Sequence, residues 1–278
     1  MEVTFWGTRG TVAVPGSDTV RYGGNTACVS LKTSAVPLFV FDAGTGIRNL
    51  GKLISSNPKP TEAVLFLSHS HWDHIQGFPL FAPVFRKDFC LTVLGCPQHP
   101  TSLQAILQLQ QETSVWPVPL EAILAKIDIG DYCIDRATYD DVLLKTLHLN
   151  HPGGSCGFRV QDGGKVFVYM TDNELPERKT PDWDKHVDYA RDADLLVHDA
   201  QYTDEELPSH IGWGHSTVSQ ALQLAIDSNA KRLALFHHDP DRSDEQVDSL
   251  VAECVKVVRS KGLSLHVFAA AEGMTETI

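Results

Sequence analysis

The chain is poor in positive charge. Lys and Arg number 23 against 35 Asp and Glu, a formal net charge of −12 with histidine neutral. Broad electrostatic capture of nucleic acid needs a basic face, so an extended nucleic-acid partner is not expected. A long apolar run is missing as well: no stretch reaches the roughly 18 residues of a membrane-spanning helix, and no membrane association is expected. The opening residues Met1-Glu2-Val3-Thr4-Phe5-Trp6 lack the basic and apolar segments of an export signal. Paired cysteine motifs are also absent. Cys28, Cys90, Cys96, Cys133, Cys156 and Cys254 are scattered without a C-x-x-C, several inside apolar runs that suit buried thiols. These absences together predict a cytoplasmic chain with reduced cysteines. Repeats and low-complexity linkers are lacking too. With 278 residues and 42% hydrophobic content, a single domain over residues 1–278 is expected.

What is present is histidine at strand ends. Apolar runs predict strands at 3–6, 26–33, 37–41, 63–67, 91–95, 142–147, 157–161, 166–170, 195–197, 233–236 and 265–268. Helical spacing covers 47–55, 102–113, 216–228 and 243–261. Mixed strands and helices of this kind give an α/β (α+β) chain. Polar residues repeatedly follow an apolar strand: Asp42, His69 onward, His151, Asp172, His198 and His237. Loops at strand ends can converge at one edge of a sheet core. The densest of these sites is Ser68-His69-Ser70-His71-Trp72-Asp73-His74, where three imidazoles and a carboxylate crowd into six positions. Crowded imidazolium charges repel one another and neutral rings need partners. A divalent cation resolves both, so the stretch predicts metal binding.

These residues resemble the metallo-β-lactamase-fold hydrolase superfamily. His69-Ser70-His71-Trp72-Asp73-His74 fits its H-x-H-x-D-H motif in full, and Asp42, His151, Asp172 and His237-His238 follow the order of its other motifs. The resemblance implies a four-layer αββα sandwich holding two divalent metal ions, zinc in most members, with manganese or iron as alternatives. It implies that His69, His71 and His151 hold one ion, that Asp73, His74 and His237 hold the other, and that Asp172 bridges them. Asp73 then serves as both ligand and catalytic carboxylate, and Asp42 orients a ligand from behind. His238 competes with His237, and His148 with His151. The Gly-Gly-Ser-Cys-Gly-Phe run after His151 favours that residue.

Two further segments resemble the phosphodiesterase branch, which includes ribonuclease Z. His215-Ser216-Thr217 matches that family's H-S-T histidine. His198-Asp199-Ala200-Gln201 departs from its H-E-A-T acid motif, with Asp199 for glutamate and Gln201 for threonine. Resemblance makes His215 the proton-transfer group and Asp199 its partner; the bland reading makes Ser216 a helix cap and Asp199 a strand-end acceptor of backbone hydrogen bonds. Ribonuclease Z carries a tRNA-gripping arm between its third and fourth motifs. Here Asp172 follows His151 by only 21 positions, most of them a hairpin.

Charge counting supports the chemistry. Two divalent ions bring +4, two ligating aspartates and a bridging hydroxide remove three, and the centre stays positive inside an acidic chain. Such a centre draws an anionic oxygen and lowers the pKa of bound water to about 7. The chain resembles more closely the smaller bacterial phosphodiesterase-like members of the fold, some of which act on cyclic nucleotides, and this resemblance implies a dinuclear metal-dependent phosphodiesterase acting on a small anionic phosphodiester such as a cyclic nucleotide. A thioester or lactone hydrolase on the same site is the alternative, a metal-binding module without turnover a more distant one, and homodimerisation stays open. Arg9 and Asn25 are read as ordinary polar residues of glycine-rich loops, with contact to a phosphate as the alternative. Trp72, Phe78, Phe81 and Phe85 are read either as pocket lining or as packing. Glu272-Gly273 suggests no role, and His99, His186, His210 and His266 are read as surface or structural.

Overall fold

Strands that are apolar along their whole length need cover on both faces, and the central strands here have it. The structure, a computed structural model, describes residues 1–57, 59–95, 101–131 and 136–278. Cys96, His99 and Cys133 lie outside the described residues. One seven-stranded sheet contains β1 (Glu2–Gly7), β2 (Cys28–Lys32), β3 (Leu38–Phe41), β4 (Glu62–Leu67), β5 (Cys90–Gly95) and β6 (Lys126–Asp131) in order, with the last strand of the chain paired outside β1. The other contains β7 (Arg136–Tyr139), β8 (Val142–Leu149), β9 (Ser155–Asp162), β10 (Lys165–Met170), β11 (Leu195–Asp199), β12 (Arg232–Phe236) and β13 (His266–Ala269). The final strand is β14 (Thr275–Thr277).

Period-two alternation sends each strand's side chains into two separate layers. On β4, Val64 and Phe66 enter the core between the sheets while Ala63, Leu65 and Leu67 face helices. On β10, Phe167 and Tyr169 face inward while Val166, Val168 and Met170 face the opposite helix layer. Aromatic rings lock the middle: Phe41 stacks on Phe66 at 5.5 Å and packs on Tyr169 at 5.5 Å, and Tyr169 meets Phe236 edge-on at 5.6 Å. Truncating such a ring to alanine costs about 3–5 kcal/mol.

Helices α1 (Ile47–Ser55), α2 (Trp72–Ile75) and α3 (Leu103–Gln110) cover the first sheet. Helices α4 (Pro181–Ala190), α5 (Val218–Asp227) and α6 (Asp244–Ser260) cover the second. The result is the expected αββα sandwich. Helix starts follow local chemistry. Ser243 and Gln246 form a capping box on α6, and Thr217 and Gln220 form one on α5. The cap of α5 is therefore Thr217. Ser216 is otherwise engaged, donating to the Asn173 carbonyl and accepting from the Leu175 amide. Among the described residues no helix is long and apolar enough to cross a membrane.

Topology positions the site. Strands β3 to β6 run parallel, as do β10 to β13. The residues that follow β3, β4, β10 and β12 meet at one edge of the sandwich, as the contacts described next show. That is where parallel sheets place ligands.

Candidate metal centre

The centre is built on Asp42. It directly follows β3 with φ 61°, a left-handed conformation that an aspartate tolerates better than most residues. Its carboxylate is fully buried and takes the Ser68 amide at 2.8 Å, the Ser68 hydroxyl at 2.9 Å and the Tyr169 hydroxyl at 2.8 Å. His74 Nδ1 lies 3.0 Å from the same group. Asp42 thus fixes both the end of β4 and the ring of His74, leaving His74 Nε2 to face the cluster. His71 is extended and starts α2, so His69 and His71 precede the turn while Asp73 and His74 lie on it. Asp172 after β10 and His237 after β12 are also left-handed, with φ 52° and 59°. Backbone of this kind persists only where surrounding structure enforces it, and it clusters at functional sites.

Among the described residues four overlapping groups of donor atoms result; two include His215, with His151 and Asp172 or with Asp199 and His237, and two do not. Of these last two, His69, His71 and His151 form one, and Asp73, His74, Asp172 and His237 the other; within each group the atoms lie within 4.8 Å of one another. Asp172 faces both. Its Oδ2 lies 3.7 Å from the Nε2 atoms of His69 and His151, and its Oδ1 lies 3.1 Å from His74 Nε2 and 3.3 Å from His237 Nε2. Asp73 Oδ2 stands 3.3 Å from His74 Nε2 and 3.4 Å from His237 Nε2. Ligand atoms about 2.0–2.1 Å from a tetrahedral cation are spaced about 3.3–3.4 Å apart, so the second group has the spacing of a coordination shell. The Nε2 atoms of His69 and His74 are buried and make no hydrogen bond, although carboxylate oxygens are near. Three buried carboxylates gather here, and none of the described ion pairs gives any of them a Lys or Arg partner. Buried charge without a partner is costly, and the residues present fit divalent cations.

The electrostatics of the chain alone say the same. Burial pushes His69 well below the ordinary histidine value, with His74 adding to the effect. Burial opposes charge on His74 too, but Asp172, Asp73 and Asp42 push it well above. Burial disfavours charge on Asp73, yet His74 and His237 hold it far below the carboxylate range. The carboxylates thus favour positive charge at His74, the place where a divalent cation would serve them.

His215 adjoins both groups. Its ring stacks on His237 at 5.0 Å and meets His151 at 5.2 Å. Asp199, at the end of β11, reaches His215 Nδ1 at 2.7 Å, so the shorter acid does span the gap. Asp199 also accepts from the Gln201 amide at 3.1 Å, which fixes the carboxylate as well as the ring. Burial lowers the His215 pKa, but Asp199, Asp172 and Asp73 carry it up to about 9.

The competing histidines separate clearly. His237 Nδ1 bonds Gln201 Oε1 at 2.9 Å, leaving Nε2 for the cluster, whereas His238 Nε2 bonds the Ala270 carbonyl at 2.9 Å on the far side. His148 is exposed on β8 and belongs to neither group. His151 Nδ1 is held by the Gly214 carbonyl at 3.0 Å. Glycine is required there: a Cβ would lie 2.0 Å from that nitrogen, and φ is +88°.

Other candidates lie elsewhere. Arg9 is fully buried, bonding the carbonyls of Gly23, Asp239 and Arg242; it braces the loop after His237 and offers nothing to a phosphate. Asn25 is tied to Glu272 through its amide side chain at 2.8 Å, which gives Glu272 the role its sequence context did not suggest. Phe78 and Phe81 belong to the core, Phe85 and Trp72 are exposed, and none of the four lines the cleft. His186 is buried against the Asp182 carbonyl and His266 stacks on Phe268. His210 is the exception: it lines a cleft of about 420 Å³ beside the cluster, with Tyr202, Trp213, Gln201 and Thr11. Sequence reading missed Gln201 and Tyr169 as well. Gln201 stood only as a departure from a motif, and Tyr169 as one apolar strand residue.

Residues 38–238 match the family model of the beta-lactamase superfamily domain. The chain belongs to that superfamily. Ribonuclease Z of Oceanobacillus iheyensis is 22% identical over 275 residues, covering 82% of this chain and 87% of that protein. The metallo-beta-lactamase fold protein YhfI from Bacillus subtilis superposes with TM-score 0.72 at 20% identity, covering 99% of this chain and 98% of its own. A diphosphatase of the PhnP family superposes with TM-score 0.68 at 15% identity, covering 100% and 97%. The protein is thus a metal-dependent hydrolase of the metallo-β-lactamase fold, with divalent metal the cofactor its fold implies.

Proposed function

We propose that the protein is a phosphodiesterase for a small phosphodiester, a cyclic nucleotide being the leading candidate, and that its cofactors are two zinc ions. His69, His71 and His151 would hold one ion, Asp73, His74 and His237 the other, with Asp172 between them. When bound, the ions supply a Lewis acid for phosphoryl oxygens and acidify water. Three imidazoles on one side and mixed imidazole and carboxylate on the other suit zinc, with manganese or iron as alternatives.

The observation that carries the proposal is the 2.7 Å His215–Asp199 pair beside the cluster. Asp199 occupies Nδ1, which leaves Nε2 to hold a proton toward the cleft. A phosphodiester expels an alkoxide, which requires such a proton. A thiolate from a thioester leaves without one, so the pair favours phosphorus over that alternative. Gln201 sets the ring of His237, and Asp42 and Tyr169 set His74. Hydrolysis of bis-p-nitrophenyl phosphate by metal-loaded and chelated protein tests the reading, with thioesters and lactones run beside it. Activity that survives rigorous metal removal, or that is confined to carbonyl substrates, would sink it.

RNA cleavage is the second reading, favoured by the names of relatives such as the Oceanobacillus ribonuclease Z. Against it, β9 passes directly into β10 through a turn at Gly163 and Gly164, and no described residue lining the cleft is Lys or Arg. A tRNA precursor assayed in the same panel decides between them.

A further inference from the structure

Trp213 is among the cleft residues that proton transfer and metal binding do not use. It is 59% exposed, although two residues later the same loop delivers His215. Single exposed apolar residues are ordinary on protein surfaces, as Ile211 on this loop illustrates. Trp213 differs because its place is built. Glu174 accepts the amides of Gly212 and Gly214 at 2.8 and 2.9 Å, clamping the loop on both sides of the indole. The Trp213 amide bonds the His210 carbonyl at 3.1 Å. Rings then run without a break from the cluster to solvent. His237 stacks on His215, His215 meets Tyr202 at 5.8 Å, Tyr202 stacks on His210 at 4.4 Å, and His210 meets Trp213 edge-on at 4.8 Å.

Charge narrows what this wall can receive. Asp239 and Asp241 line the same cleft, and no Lys or Arg is among its described lining residues. Carboxylates on a wall with no Lys or Arg among its described lining residues favour a neutral group there over a second anion.

We propose that Trp213 is a specificity-determining residue that stacks a planar heterocycle of the substrate, so that the phosphodiester carries a nucleobase or a ring like it. The proposal rests on the phosphodiesterase reading for the identity of the reacting group, but its binding test does not require turnover. Base–aromatic stacking accounts for large sequence-tolerant affinities in single-strand binding proteins, and one indole face is enough for it.

The test uses the metal-loaded full chain and two probes that share a sugar phosphate and differ in the ring, AMP and ribose 5-phosphate. Calorimetry of the wild type is expected to show AMP binding about 5-fold tighter or more, in line with the lower end of stacking contributions. Trp213→Ala should abolish that preference while leaving ribose 5-phosphate unchanged, and Trp213→Phe should restore most of it. The side chain is mostly exposed, so its truncation leaves the core intact. Equal binding of the two probes by the wild type, no AMP binding, a preference that survives Trp213→Ala, or an equal weakening of both probes would each overturn the proposal. Bis-p-nitrophenyl phosphate turnover is measured in parallel. No turnover with the ring preference intact defeats the phosphodiesterase reading alone; turnover without a ring preference defeats the stacking proposal alone.

Discussion

Gly214→Ala and Gly212→Ala form a matched pair that isolates the role of the His151 support. Both glycines have positive φ, +88° and +84°, so either alanine imposes similar backbone strain of about 1–2 kcal/mol. Their surroundings differ. A Cβ at Gly214 would sit 2.0 Å from His151 Nδ1 and 2.5 Å from Pro152 Cδ, while one at Gly212 meets nothing within 4 Å. Normal contact is about 3.5 Å, so the Gly214 variant must open a gap of about 1.5 Å. That displacement moves either the His151 ring or the loop that carries His215. A metal ligand has to be held within about 0.5 Å of its working position, so the group of His69, His71 and His151 should lose its ion. In the group of Asp73, His74 and His237, the two rings are held by Asp42 and Gln201 instead, and that group should keep its own. Metal analysis after dialysis is then expected to fall from about two ions per chain to about one for Gly214→Ala and to stay at about two for Gly212→Ala. Both variants should lose Tm through backbone strain, by about 2–4 °C per kcal/mol, with the Gly214 variant losing more. Equal metal contents in the two variants would refute the assignment of His151 as a supported ligand.

Four further substitutions probe the rest of the site. With a cyclic nucleotide, whose alkoxide leaving group needs a proton, His215→Ala should cut turnover about 10²–10⁴-fold with metal content unchanged; loss of metal instead would place His215 among the ligands. Asp199→Asn removes the charge that chiefly holds His215 protonated up to about 9, a value that bound cations would themselves draw down. The acid form of His215 exists below its pKa and is lost as pH rises through it, so the alkaline limb of the rate profile should move about 1–3 units lower. A limb that stays in place would separate Asp199 from proton transfer. His237→Ala should remove an ion that His238→Ala leaves in place, which metal analysis reads directly; the opposite result would exchange their roles.

Much of this molecule is legible in one dimension, for reasons that particular residues make plain. The motif from His69 to His74 crowds its candidate ligands into six positions across the end of β4 and the start of α2, so spacing alone keeps them close. Strands such as β4 and β10 announce themselves because burial on both faces demands continuous apolar sequence. Where burial is thin, the signal fades. Helix α4 was missed because only Trp183, His186 and Ala190 are buried among its polar residues. The edge strands β6, β7 and β14 were missed because they carry no continuous apolar run.

Sequence by itself determined the chemistry of the site: which side chains can hold a cation, in what order they follow the strands, and that His215 is available to hold a proton. Tertiary structure alone decided the pairings. His237 and His238 are adjacent and chemically identical, and only a left-handed turn after β12 sends one to the cluster and the other to the Ala270 carbonyl. Asp199 and His215 stand 16 positions apart, and only the meeting of β11 with the loop before α5 brings them to 2.7 Å. Residue type sets what an atom can do, whereas distance sets whom it does it with, and distance between remote segments is a property of the packed sheets.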